Sequence, residues 1–160
     1  KEGLKDILVA STSGETGAKA TKIFNRCNVA IVTHCFGFKE LGKSELMEEN
    51  RREILMNGGK ILTGIHALSS VERAIRKDFG TIQPLELIAN VLRLMGEGTK
   101  VCVEITLMAA DAGLIPADKD AIPVAGTGKG ADTALRIQPA NAARFFDLKI
   151  KEVIAKPNAF

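Results

Sequence analysis

Short apolar runs that end in a small-residue turn and pass straight into a helical pattern constrain this chain more than any other feature. Asp6–Ala10 (Asp-Ile-Leu-Val-Ala) is almost continuously apolar, the pattern of a strand buried on both faces. Val29–Thr33 and Lys60–Thr63 repeat it, Ile122–Ala125 and Thr133–Gln138 follow late, and a last strand is expected near Lys149–Ala155. Helical periods fill the gaps. Thr16–Asn25 carries Ala20, Ile23, Phe24 and Cys27 at helical spacing. Ser44–Asn57 turns Leu46, Ile54 and Leu55 inward and stops at Gly58-Gly59. Ser69 or Ser70 can cap Val71–Lys77, and Pro84 suits the first turn of Pro84–Met95. Thr99–Ala112 repeats Val101, Ile105, Met108, Ala109 and Ala112 at three and four and ends at Gly113; a strand over Lys100–Leu107 would bury Glu104, so a helix is preferred. A short helix near Asn141–Phe146 places Phe145 and Phe146 in the core. Strands alternating with helices predict an α/β fold: a doubly wound, mostly parallel sheet with helices on both faces.

The 160 residues suit a single domain, 1–160. Lys1-Glu2-Gly3 reads as the last turn of a helix with Gly3 at its stop, so an upstream helix of a longer parent chain is expected. The net charge of +3 is scattered in both signs, which argues against a nucleic-acid partner while leaving room for a local anion site. No apolar run is long enough to cross a bilayer, and no signal-peptide pattern is present. Cys27, Cys35 and Cys102 are odd in number and make no C-x-x-C pair, so they read as reduced thiols of a cytoplasmic protein.

Ligands of such sheets sit beyond the C-terminal strand ends, where strand order reverses. That rule selects Ser11–Thr16, His34–Phe38, Gly64–Ser70 and Gly126–Asp132. In the first loop Ser11, Thr12, Ser13, Gly14, Glu15 and Thr16 place three or more hydroxyls and a glycine at a helix start. The unsatisfied N–H groups and dipole there favour an anion, and capping needs only one hydroxyl. It is not a Walker A loop. Gly126-Thr127-Gly128-Lys129-Gly130-Ala131-Asp132-Thr133 offers a backbone cradle with a mobile cation, or simply a hairpin. It departs from the dinucleotide pattern G-x-G-x-x-G. His34 and His66 each follow a strand; both ligand contact and loop packing stay open for them. No spacing supplies a metal site. His34 beside Cys35 does not make a cysteine nucleophile, because chain neighbours rarely face each other. Glu104 and Asp111 share a helix face, and salt bridging or capping suits them better than paired acid–base work.

The turn Val9–Thr16 resembles the strand–turn–helix of the pyruvate kinase C-terminal domain, whose Ser/Thr-Gly turn holds a phosphate of the effector. Over nearly the whole chain the sequence is more similar to stand-alone prokaryotic, chiefly archaeal, pyruvate kinase alpha/beta-domain-like proteins. The matching stretches are Val32-Thr33-His34 with Gly37-Phe38, Leu68–Ala74 with Ser69, Lys100–Thr106, Met108–Gly113 and Gly130–Ala134. The resemblance implies a three-layer α/β/α sandwich and a phosphorylated ligand, flavin mononucleotide (FMN) being the one associated with the family. The phosphate would lie on Ser11–Thr16 and the ring near His34, Phe38, His66 and Gly126–Thr133. No catalytic barrel is present, so kinase activity is not implied. Three roles follow: a binding protein or flavoprotein; an enzyme on a phosphorylated or carbonyl substrate, with His34 or Glu104 as acid–base group; or a homo-oligomeric domain that senses a phosphometabolite. The sequence alone displays no nucleophile–base constellation, which places the enzyme second.

Overall fold

β1 (Asp6–Ala10) opens the sheet at its centre, because both of its faces must be covered. The computed structural model describes residues 5–159, so the expected helix end at Lys1–Gly3 lies outside the described residues. The chain continues through α1 (Glu15–Ile23), β2 (Asn28–Thr33), α2 (Glu48–Met56), β3 (Lys60–Thr63), α3 (Ser70–Phe79), α4 (Pro84–Arg93), α5 (Glu97–Asp111), β4 (Ala121–Ala125) and β5 (Thr133–Gln138). A 3-10 turn (Ala142–Asp147) and β6 (Lys149–Ala155) complete it. The six strands run in the order β3-β2-β1-β4-β5-β6. β1 pairs in parallel with β2 and β4, and β2 with β3, whereas β4–β5 and β5–β6 are antiparallel. The sheet grows outward from β1 to β3 and then resumes on the other side of β1. The switch point therefore lies between β1 and β4.

Alternation along β1 assigns the faces. Ile7 and Val9, with Val29 and Ile31, pack on Ala18 and Ala20 of α1 and Ile54 of α2. Leu8, with Ala30 and Val32, packs on Ile105, Met108 and Ala109 of α5. Helix α5 is buried almost all round, because its other side meets Leu135, Ile137, Ala89 and Leu68. Each face of the sheet thus has its own helical cover.

Several expectations change at the edges of elements. α2 begins at Glu48, not Ser44, because the Leu46 N–H donates to Ser44 Oγ in a turn (3.1 Å). Leu55 points outward, since a nine-residue helix at the sheet margin buries only Ile54. Ala112 lies past the packed part of α5 and is exposed. Phe145 packs against the α5 cluster, but Phe146 is 84% exposed: the irregular backbone at Arg144 breaks the helical spacing and turns the second ring to solvent. Neither serine caps α3 with its side chain; Ser70 Oγ donates to the His66 carbonyl instead (2.8 Å). β6 is a fully exposed edge, all seven residues accessible. The helix over Glu97–Asp111 also buries Glu104, which the strand alternative would have done. What the helix adds is Lys100 one turn earlier, within reach as a counter-ion.

Candidate functional site

Four strand ends deliver their loops to one cleft of about 1050 Å³ at the switch point. Ala10–Ser13, Glu15 and Thr16 line it after β1, Val32–His34 and Phe38 after β2, and Gly126, Gly128, Lys129 and Gly130 after β4. His66, Leu68 and Ser69 follow β3, and α3, α4 and α5 close the remaining side. Of the residues expected from the sequence, Ser11, Thr12, Ser13, Glu15, Thr16, Thr33, His34, Phe38, His66, Ser69, Gly126, Gly128, Lys129 and Gly130 therefore meet at one place. Gly14, Gly37, Thr127, Ala131, Asp132 and Thr133 are not on its wall.

Those six support the loops. Gly14 sits at φ 90°, and a Cβ there would lie 2.6 Å from Leu46 Cδ1 and 2.7 Å from Asn50 Cβ, so the turn rests directly on the α2 entry. Gly37, also at positive φ, accepts the reversal between Phe36 and Phe38. Asp132 receives the Thr127 N–H (3.0 Å) and the Thr133 hydroxyl (2.6 Å), closing the hairpin between β4 and β5. Its carboxyl is held below the ordinary range, mainly by the Thr133 hydrogen bond. The hairpin and ligand-loop readings of this segment are compatible: the antiparallel pair exists, and its glycines and Lys129 face the cleft.

In the first loop, two hydroxyls meet first-turn N–H groups of α1, although Gly14 at the N-cap position supplies no side-chain cap. Ser13 Oγ accepts the Glu15 N–H (3.5 Å), and Ser11 Oγ accepts the Gly17 N–H (3.1 Å). The N–H groups of Thr12, Ser13, Gly14 and Thr16 have no acceptor among the described residues, whereas the Ser13 carbonyl accepts from Met47 N–H (3.1 Å) and Asn50 Nδ2 (2.9 Å). The turn thus keeps donors available while its carbonyl anchors it to α2.

The second wall is a ring cluster. His34 and Phe38 have centroids 4.0 Å apart, Phe38 and His66 stack at 5.2 Å, and the Arg73 guanidinium lies 4.8 Å over Phe38. His34 Nδ1 is 2.8 Å from Glu45 Oε2, and its Nε2 is 3.5 Å from Thr12 Oγ1. His66 Nε2 accepts the Cys35 N–H (3.4 Å). That contact requires an unprotonated Nε2, and burial also lowers the pKa of His66, with Glu104 opposing the shift and His34, Lys100 and Arg73 adding to it.

Charge in the cleft is mostly compensated. Glu15 pairs with Lys19, Arg93 with Glu97, and Arg76 with Glu86. On the floor, Lys100 and Glu104 are both buried and 2.5 Å apart, and Glu104 also accepts the Leu68 N–H (3.0 Å). Arg73 and Lys129 line the cleft without an ion-pair partner among the described residues. Asp111 takes the structural role foreseen for it, accepting from Asn141 Nδ2 (2.9 Å) and the Ala142 N–H (3.1 Å). Among the described residues no group of three or more His, Cys, Asp or Glu could hold a metal ion. Nor is any helix among them long and apolar enough to cross a membrane.

Sequence reasoning missed Glu45, Arg73, Arg93 and Lys100. The first three lie on helices or loops whose approach to the cleft is a tertiary event; Lys100 was readable only as a helical partner of Glu104, one turn away. No protein-family model matches the chain.

Proposed function

We propose that the cleft binds a phosphorylated small molecule, with flavin mononucleotide as the ligand of choice, in a domain of the pyruvate kinase alpha/beta-like, three-layer class. The observation that carries this reading is the first turn: four backbone N–H groups without acceptors among the described residues, at the start of α1 and beside the Thr12 and Ser13 hydroxyls. Lys129, which makes no salt bridge among the described residues but lies near enough to help lower the Glu15 carboxyl, approaches from the β4–β5 loop on the same cleft and adds a positive charge. A volume near 1050 Å³ is ample for a mononucleotide.

For flavin, the fit test concerns the ring, because the chain has no Trp or Tyr. His34, Phe38 and His66 supply an aromatic wall instead, and Val101, Ile105 and Met108 of α5 supply an apolar one. In this reading Ser11–Thr16 and Lys129 hold the phosphate, and the two walls hold the ring. Bound flavin supplies redox chemistry; the residues named here bind and orient it.

The test is titration of the protein with FMN and with riboflavin, followed by flavin fluorescence. FMN is expected to bind at least about 10-fold tighter, since a phosphate meeting backbone donors and a lysine contributes more than 1.4 kcal/mol. Lys129→Ala should narrow that gap. Equal affinity for the two, or no binding of either, overturns the proposal.

A further inference from the structure

We infer that Thr12, His34 and Glu45 form a hydroxyl–imidazole–carboxylate relay, which makes Thr12 an acyl-accepting nucleophile toward a small carboxylic ester. Glu45 can only accept as a carboxylate, so the 2.8 Å contact puts a proton on His34 Nδ1. In the neutral ring Nε2 is then a lone pair, and it faces Thr12 Oγ1 at 3.5 Å. Such contacts are commonly looser before substrate binds than in the reacting complex.

Thr12 lies on the β1–α1 turn, whereas His34 and Glu45 stand at the two ends of the β2–α2 connection, yet all three are held in register. The Ser13 carbonyl, next in chain to Thr12, is bonded by Met47 and Asn50, two and five residues beyond Glu45. Phe38 lies against the His34 ring at 4.0 Å. His34 and Glu45 keep 33% and 27% of their side-chain surface exposed, so the relay is open to a substrate. The hydroxyl sits between a strand end and a helix start, followed by the N–H groups of Ser13 and Gly14, which have no acceptor among the described residues. In a nucleophile elbow, the N–H after the nucleophile is one of the donors to the developing oxyanion.

The step balances without a co-reactant other than water. Thr12 Oγ bonds to the ester carbon as its proton passes to His34 Nε2, and the carbonyl electrons move onto oxygen beside the Ser13 and Gly14 N–H groups. Collapse breaks the ester C–O bond, and the departing alkoxide takes the proton from His34. Water then attacks the acyl-threonine with His34 again accepting a proton, which returns to Thr12 as the carboxylic acid leaves. Thr12 and His34 are catalytic residues in this scheme; Glu45 is a positioning residue.

The inference does not rest on the flavin reading. The full chain would be treated with an alkyl fluorophosphonate, which forms a P–O bond to an activated hydroxyl with loss of fluoride, and the adduct mapped by peptide mass. One adduct on Thr12 is expected. His34→Ala should slow it by at least about 100-fold, Thr12→Val should abolish it, and Glu45→Ala should slow it with partial rescue by added formate. Circular dichroism on each variant keeps loss of fold separate from loss of chemistry. No adduct on Thr12 in the folded parent chain, an adduct on Ser11 or Ser13 instead, or a rate unchanged in folded His34→Ala overturns the relay. FMN titration of an untreated portion of the same preparation reads the other proposal by itself.

Discussion

Lys100 and Glu104 stand one turn apart on α5, both buried, with Nζ 2.5 Å from Oε2 at the floor of the cleft. Burying two charges is costly, and their attraction compensates only while both are present. Glu104→Gln or Lys100→Met alone should therefore lower unfolding free energy by about 3–5 kcal/mol. The double variant Lys100→Met/Glu104→Gln should recover most of the loss, because Gln still accepts the Leu68 N–H. Urea melts of the four proteins make the comparison; simple additivity of the two single losses would count against a coupled pair.

Gly14 carries two constraints at once, positive φ and contact with α2. The Leu46 end can swing away, but Asn50 Cβ is tied to the helix backbone. Gly14→Ala should cost about 1–3 kcal/mol from overpacking, plus about 1 kcal/mol from the backbone conformation. A thermal melt equal to the parent's would show that α2 does not rest on the turn.

His66 should make stability fall in mild acid. Its folded pKa lies below the ordinary value, so the neutral form is favoured in the fold. The contribution is fully present above the unfolded value of about 6.5 and is lost as pH falls through the lower folded value. The groups acting on the ring are Glu104, His34, Lys100 and Arg73, all present in both proteins being compared. Unfolding of parent and His66→Gln would be followed from pH 7.5 to 5; an identical slope in the two would refute the assignment.

Cys102 should be silent to thiol reagents until the protein unfolds. Burial pushes its thiol up to about 12, and its Sγ lies 3.4 Å from the Pro123 carbonyl, which accepts from it. Cys27 and Cys35 are only partly buried. With Ellman's reagent near pH 8, two thiols should react in the folded protein and the third in step with denaturation. Three thiols reacting at once in native buffer would contradict this.

Much of the framework could be read from residues alone. β1, β3 and β5 match their expected bounds, because short apolar runs between glycine or hydroxyl turns have few alternatives. At the sheet edge, however, β3 is exposed or half-buried throughout and not the doubly buried strand expected. Boundaries slipped where side chains compete with the helix for backbone groups, as Ser44 does ahead of α2. The loops around the cleft were also legible as the segments that follow the C-terminal ends of the expected strands. Their chemistry was not: the relation of His34 to Thr12 and Glu45 spans 22 and 11 residues and exists only once β1, β2 and the α2 entry are assembled. Phe146 failed for a local reason, since one residue with non-helical dihedrals undoes a periodicity argument downstream of it.

The outermost strand has a colloidal consequence. β6 offers an open ladder edge carrying Ile150, Val153 and Ile154, a combination that invites strand-to-strand growth between molecules. Lys149, Lys151 and Glu152 interrupt that apolar run with charge. Self-association in concentrated solution, a property remote from any ligand, is therefore expected to start at the margin of the sheet opposite β3.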